Sequence, residues 1–338
     1  MKRRLFGLRR RHSQAVPRPV PGTLAAELTC HDSHEVLRLL THDGYTLVGQ
    51  WWLPQGAPRG VILVVHGTVM NAGFYKDWAR HVTGFGYAVF GIDLRSWGQS
   101  QGRGVRGLIK HFKEYLLDVE TAAAHVRERF PGVPFFLQGE SLGGGVVLMA
   151  DISGRVPNDG LILNAPAVIG NPGFGFLRAP QFFTNFCLDV LSRLAHLWPT
   201  LPFLPPHRWA IGMVFVDAKA TQRFFDDPHN TRSWVPLFYI TQTNKLMKHV
   251  RKYADTVKSP LLILHGTNDR LVPLRSSQWL LARATSEDKT LKVYRGLSHA
   301  ALHVEGNQLL WADTIQWLEE RGLSPDSTPD SERLRTSL

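Results

Sequence analysis

The sequence predicts an α/β protein: an eight-stranded, mostly parallel, doubly wound sheet that carries one inserted helical lid. Three observations carry that expectation. From about residue 60 onward, short apolar runs alternate with helical patterns, as repeated strand-helix-strand units do. Those runs are almost continuously apolar, as in Val61-Ile62-Leu63-Val64-Val65, which suits parallel strands covered by helices on both faces. Between Asn164 and Pro260 the alternation stops, and about 95 residues rich in Phe, Trp and Pro contain no convincing strand. A chain of 338 residues with 43% hydrophobic content can bury one large core of this kind together with an insertion.

Taken in order, the apolar runs place strands at about 35–41, 45–53, 60–66, 87–93, 134–139, 160–164, 260–265 and 290–294. The first two flank His42-Asp43-Gly44, and the Asp-Gly pair suits a tight hairpin turn, so the sheet should begin antiparallel. The clearest helix is Ile109 to Phe130, where Leu116, Val119, Ala123 and Val126 recur at helical spacing before Pro131-Gly132 ends the segment. The expected domain plan is a basic arm at 1–22, a core built from 23–166 and 257–322, a lid at 167–256 and a polar tail at 323–338. Within the lid, Phe174 to Trp198 has an apolar amphipathic pattern (Phe182, Phe183, Phe186, Leu188, Val190, Leu191, Leu194, Leu197) that Pro199 to Pro206 breaks. That pattern fits a helix packed on the core. The alternative is a cover over a lipid-like substrate or a membrane-facing surface.

The formal charge of +11 is concentrated at one end. Lys2, Arg3, Arg4, Arg9, Arg10, Arg11 and Arg18 supply seven of those charges, no acid precedes Glu27, and Pro17, Pro19 and Pro21 keep the arm extended. Such an arm is either a solvated tail or a device for peripheral contact with an anionic membrane. No basic motif interleaved with aromatics appears, so no specific nucleic-acid recognition is expected. Leu5, Phe6 and Leu8 run straight into arginines, too short an apolar stretch for an export signal, and no run approaches the roughly 18 apolar residues of a membrane span. The two cysteines, Cys30 and Cys187, have no metal or disulfide-framework spacing. A cytoplasmic protein, with or without membrane association through its arm, is the expectation.

The chemistry lies in Gly139-Glu140-Ser141-Leu142-Gly143, which follows the strand Phe135-Phe136-Leu137-Gln138 and precedes the helical Gly144-Gly145-Val146-Val147-Leu148. A serine on a sharp strand-to-helix turn needs very small neighbours, and the helix N-terminus behind it favours a developing oxyanion. Its hydroxyl is a weak nucleophile that requires a base, itself held in one tautomer by a carboxylate. The run Leu261 to Leu264 leads through His265-Gly266-Thr267-Asn268 to Asp269, and the run Leu291 to Tyr294 leads through Arg295-Gly296-Leu297-Ser298 to His299. Both groups follow strand ends, where open α/β sheets place their sites. Asp269 is preferred over Asp255 and Glu305 because it alone ends a buried strand. His299 is preferred over His303, one turn further on. Paired at i, i+4 these two histidines could also suit a metal, but Ala300 stands where a zinc protease carries glutamate, and no metal or cofactor is expected. The oxyanion donors are read as the backbone N–H groups of Leu142 and of Thr68, after Val64-Val65-His66-Gly67; His66 is read as a support for that loop. Gly102-Arg103-Gly104-Val105-Arg106-Gly107 matches a dinucleotide fingerprint, yet it lies in a polar loop well after Asp93 and not directly after a strand.

With these residues in view, the sequence from roughly 35 to 320 resembles the monoacylglycerol lipase and lysophospholipase branch of the α/β-hydrolase fold, also called the serine aminopeptidase group. The resemblance is carried by His66-Gly67, by Gly91-Ile92-Asp93-Leu94-Arg95-Ser96-Trp97-Gly98-Gln99-Ser100, by Gly139 to Gly144, by Leu264-His265-Gly266 through Asp269, and by Gly296-Leu297-Ser298-His299 with Glu305. It implies Ser141, Asp269 and His299 as a triad with Thr68 and Leu142 as oxyanion donors, in agreement with the residue-level reading. The chain departs from the family at Ser96-Trp97, where Gly-His is common. The lid matches only in general character and in Asp226-Asp227-Pro228. The expected activity is hydrolysis of a carboxylic ester, with a monoacylglycerol or lysophospholipid as leading substrate because the lid is rich in Phe and Leu. An acyltransferase or thioesterase would use the same triad, and a ligand-binding member of the fold would use none of it.

Overall fold

The computed structural model describes residues 35–100, 104–170, 190–191, 193–204, 208–304 and 306–321. The expected arm and tail, both cysteines, Glu305 and most of the Phe-rich stretch at 174–198 lie outside the described residues.

Eight strands form one sheet: β1 (Glu35–Leu40), β2 (Thr46–Trp52), β3 (Gly60–Val65), β4 (Tyr87–Asp93), β5 (Phe135–Glu140), β6 (Gly160–Asn164), β9 (Leu261–Gly266) and β10 (Lys289–Tyr294). Their order is β1-β2-β4-β3-β5-β6-β9-β10. The β1–β2 and β2–β4 pairs are antiparallel and every later pair is parallel. The hairpin signal at Asp43-Gly44 is realised, with Gly44 at φ +80° in the turn. Each central strand is buried along its whole length, so its apolar run answers to two covered faces rather than one.

Helices α1 (Lys76–Thr83), α2 (Glu114–Arg129), α3 (Leu142–Ser153), α7 (Leu274–Arg283) and α8 (Gln308–Glu319) cover the sheet, and the insertion contributes α4 (Arg208–Phe215), α5 (Ala218–Asp226) and α6 (Leu237–Tyr253). Two details differ from the sequence expectation. Helix α2 starts at Glu114, not near Ile109. Ile109 and Phe112 are buried, and the Phe112 N–H donates to Gln242 Oε1 of α6 at 3.1 Å, so a contact with the insertion captures the first predicted turn. The insertion also contains strands after all: β7 (Pro202–Leu204) pairs antiparallel with β8 (Val235–Pro236). Their prolines conceal the signal, since proline is tolerated in a strand only where no partner needs its N–H.

The turn between β5 and α3 is the tightest feature near the sheet centre. Ser141 sits at φ +52°, ψ −112°. A Cβ on Gly143 would fall 2.0 Å from the Val65 carbonyl oxygen, and one on Gly139 would fall 2.4 Å from the Gly143 backbone. Backbone atoms cannot yield as side-chain ends can, so Gly143→Ala is expected to destabilise the protein by about 3 kcal/mol, measured by denaturant unfolding.

Candidate active site

All parallel strands present their C-terminal ends along one edge, and the loops leaving β3, β5, β9 and β10 meet there. Ser141 caps the end of β5. Its backbone is pinned from three directions: its N–H donates to the Asn164 carbonyl at 2.9 Å, while its own carbonyl accepts from Ala167 at 2.9 Å and Gly145 at 3.2 Å. These bonds hold the serine in a conformation that side-chain-bearing residues otherwise avoid.

Asp269 and His299 are joined. The ring Nδ1 donates to Asp269 Oδ2 at 2.7 Å, while Oδ1 of the same carboxylate accepts the Leu271 and Val272 N–H groups at 2.8 and 2.9 Å. The two carboxylate oxygens therefore have separate tasks, one fixing the loop and one fixing the tautomer, so that Nε2 keeps its lone pair. Burial opposes the charge on Asp269, but the facing His299 and the hydrogen bonds outweigh it and hold its pKa below the usual aspartate value. Burial likewise opposes protonation of His299, and the Asp269 charge and hydrogen bond, helped by Glu140, raise it above an ordinary histidine. His265 stands behind the pair, with Nδ1 2.7 Å from Ser277 Oγ and Nε2 3.0 Å from the Val272 carbonyl. Burial depresses its pKa, so it serves as a neutral support. Ser141 Oγ and His299 Nε2 are not hydrogen-bonded to each other in this structure; such contacts commonly close only when substrate is bound.

The second loop brings Gly67 against the turn that bears Ser141, since a Cβ on Gly67 would lie 3.6 Å from Ser141 Cβ. Thr68 follows it, and Leu142 opens α3, where the first N–H groups of a helix lack intrahelical partners. Thr68 thus adjoins the glycine that lies against Ser141, and Leu142 follows Ser141 directly at the head of α3. His66 supports the loop: its Nε2 accepts the Leu94 N–H at 3.1 Å, so the proton sits on Nδ1 and is donated to the Gly67 carbonyl at 2.8 Å. Burial pushes its pKa down to about 4, which keeps it uncharged.

The contacts of four residues at the site were not evident from sequence. Tyr239 of α6 reaches down from the insertion to share a 2.5 Å hydrogen bond with Thr68 Oγ1, and its burial pushes its pKa up to about 12. Its ring meets Trp97 edge-on at 5.2 Å. Glu140, Tyr75 and His303 form a buried cluster: Glu140 Oε2 accepts from the Tyr75 hydroxyl and from His303 Nε2, the latter at 2.9 Å. Only a contact map could reveal them, because partners 65 and 163 residues apart leave no local pattern. His299 and His303, spaced for a metal in sequence, hydrogen-bond to different carboxylates.

The family model for serine aminopeptidase, S33, matches residues 56–306, well over half of the chain. The chain belongs to that family. Among relatives of this S33 protein, the monoacylglycerol lipase of Mycolicibacterium smegmatis is 28% identical over 277 residues, covering 81% of this chain and 93% of that one. The monoglyceride lipase of Homo sapiens is 28% identical over 293 residues, covering 84% and 90%. A solved structure of a soluble variant of monoglyceride lipase from Saccharomyces cerevisiae with a substrate analog superposes with a TM-score of 0.72 at 21% identity, covering 86% of this chain and 95% of that chain. That likeness establishes the α/β-hydrolase fold. The departure of this S33 member at Ser96-Trp97 has a visible geometry: Ser96 occupies φ +70°, a conformation that favours glycine, and Trp97 is fully buried with Nε1 donating to the Tyr115 hydroxyl at 2.9 Å. The glycine-rich decoy is described from Gly104 on, and there Gly107 donates its N–H to the Ser96 carbonyl at 3.1 Å, so its backbone closes this same loop.

Proposed function

We propose that the protein is a serine esterase that cleaves a lipid-like carboxylic ester, a monoacylglycerol or lysophospholipid, through an acyl-enzyme on Ser141. The observation that carries this reading is the Asp269–His299 pair, with its 2.7 Å bond, on the same sheet edge as a serine held at positive φ at the head of a helix. His299 Nε2 takes the Ser141 proton as the hydroxyl attacks the carbonyl carbon, and the N–H groups of Thr68 and Leu142 receive the oxyanion. His299 then returns the proton to the leaving alcohol. In the second half, His299 takes a proton from water as it attacks the acyl carbon, and the acid leaves as Ser141 regains its proton. The chain's own residues suffice for these steps. The lipid class rests on the names of the relatives and on the exposed apolar groups of the insertion, Leu194, Leu197, Trp198 and Leu201.

The test is labelling with a fluorophosphonate probe, with the modified residue located by mass spectrometry. Labelling at Ser141 that disappears in His299→Ala supports an activated serine, and an acyl-chain panel of monoacylglycerols and lysophospholipids then ranks substrates. No labelling of the wild-type protein would remove the esterase reading and leave a ligand-binding role for the fold. For the arm, we propose peripheral attraction to anionic lipid, which adds to hydrolysis; among the described residues no helix is long and apolar enough to cross a membrane. Deleting residues 1–22 should reduce sedimentation with phosphatidylserine-containing vesicles at low salt, and unchanged sedimentation would sink the idea.

A further inference from the structure

Glu140 precedes the nucleophile, so its backbone belongs to the turn that bears Ser141. Its side chain is only 1% exposed. Taking a carboxylate out of water costs several kcal/mol unless its surroundings compensate. Two donors reach Oε2, the Tyr75 hydroxyl and His303 Nε2, while Oε1 has no partner among the described residues. Despite burial, these contacts and the neighbouring charge of His299 keep the carboxyl below the usual glutamate value, so it is ionised at neutral pH.

The partners connect three loops. Tyr75 has one hydroxyl proton, which it gives to Glu140, and its oxygen accepts the Gly67 N–H at 3.2 Å. The chain of donors therefore runs from the backbone next to Thr68, through Tyr75, to the carboxylate. His303 closes the other side, four residues beyond His299. Its ring is walled by Phe74 and Tyr75 at 4.8 and 4.7 Å, and its carbonyl accepts from Arg223. Tyr75 and His303 meet Glu140 by hydrogen bond, and His299 and His66 feel its charge.

We propose, on the reading that Ser141 and His299 act as nucleophile and base, that Glu140 is a positioning residue for all three catalytic loops and supplies a second buried negative charge for the imidazolium that forms on His299. Asp269 holds the ring from the Nδ1 side. Glu140 acts at a distance on the same charge while its hydrogen bonds keep the Gly67–Thr68 backbone and the 299–303 loop in register with Ser141. A polar side chain used only as a brace need not be charged, which separates this role from simple packing.

The test compares full-length wild type, Glu140→Gln and Tyr75→Phe in hydrolysis of a short-chain p-nitrophenyl ester across pH, with fluorophosphonate labelling and thermal unfolding alongside. Glu140→Gln keeps the volume but loses the charge. It should lower kcat about 10-fold with KM nearly unchanged, and should move the acid limb of kcat/KM to lower pH by about one unit, because His299 loses a neighbour that favours its protonated form. Tyr75→Phe breaks the link to Gly67 but leaves the charge, so kcat should fall while the acid limb stays in place. An unshifted acid limb in Glu140→Gln overturns the charge role, and an unchanged kcat in Tyr75→Phe overturns the link to the oxyanion loop. If Glu140→Gln does not fold, Tyr75→Phe decides the link to the oxyanion loop, and a wild-type acid limb of kcat/KM that lies no higher than the ordinary histidine value overturns the charge role. A wild type that fails to label at Ser141 defeats the esterase reading itself; a wild type that labels, with both variants indistinguishable from it, defeats this proposal alone.

Discussion

Ser141→Ala is expected to reduce kcat for ester hydrolysis by about a million-fold, the scale of loss when a triad serine is removed while binding and the oxyanion donors remain. Affinity for a non-hydrolysable substrate analogue should change little, since the backbone N–H groups and the apolar surfaces that receive it are untouched by the substitution. The same position stores strain that can be read separately. Alanine inherits the φ of +52°. Glycine adopts that conformation freely, which relieves roughly 1–3 kcal/mol of backbone strain against up to about 1 kcal/mol of added chain entropy. Ser141→Gly should accordingly unfold with a free energy about 1 kcal/mol higher than Ser141→Ala. Denaturant titration of the two inactive proteins measures it, and equal midpoints would show that the turn is not strained.

Asp269→Asn is expected to cost about 10⁴-fold in kcat. The amide can keep the Leu271 and Val272 N–H bonds with its oxygen, but its NH2 then faces His299 Nδ1 and drives the ring proton onto Nε2, where it blocks acceptance of the serine proton. Stability should respond as well, with opposite signs for the two partners. Asp269 has a lowered folded pKa, so its contribution is present above the unfolded aspartate value and is lost as pH falls below it. His299 has a raised folded pKa, so its contribution is present below the ordinary histidine value and is lost as pH rises through the folded one. The variant should lose both dependences, flattening the stability profile in the acidic range and around neutrality. A variant whose kcat falls less than about 10-fold would show that another carboxylate orients the ring.

Much of this molecule was legible because its signals are local. The buried parallel strands show as unbroken apolar runs, the turn around Ser141 announces itself by glycines that a close backbone approach demands, and Asp269 and His299 each follow a strand end. The insertion was harder to read. Its β7–β8 ribbon is framed by Pro202 and Pro236, residues that argue against strands, and the turn at Ile109 is held out of α2 by Gln242 from a helix far along the chain. Tyr239, Tyr75 and Glu140 escaped for the same reason: a tyrosine hydroxyl or a buried carboxylate gains its meaning from partners that only the folded chain supplies.

β5 and β3, which lead into Ser141 and into the Gly67–Thr68 loop, lie early in the chain and pair with each other, whereas Asp269 and His299 arrive only with β9 and β10 at the far end. Glu140 meets His303 across 163 residues. During synthesis from the N-terminus, a chain that has already formed the first six strands carries Ser141 without His299, and its Glu140 has the Tyr75 hydroxyl but not His303 as a partner. Reactivity toward esters is therefore a property of the finished chain, gained with the same C-terminal segment that brings His303 to Glu140, so that chemical competence and completion of the fold coincide.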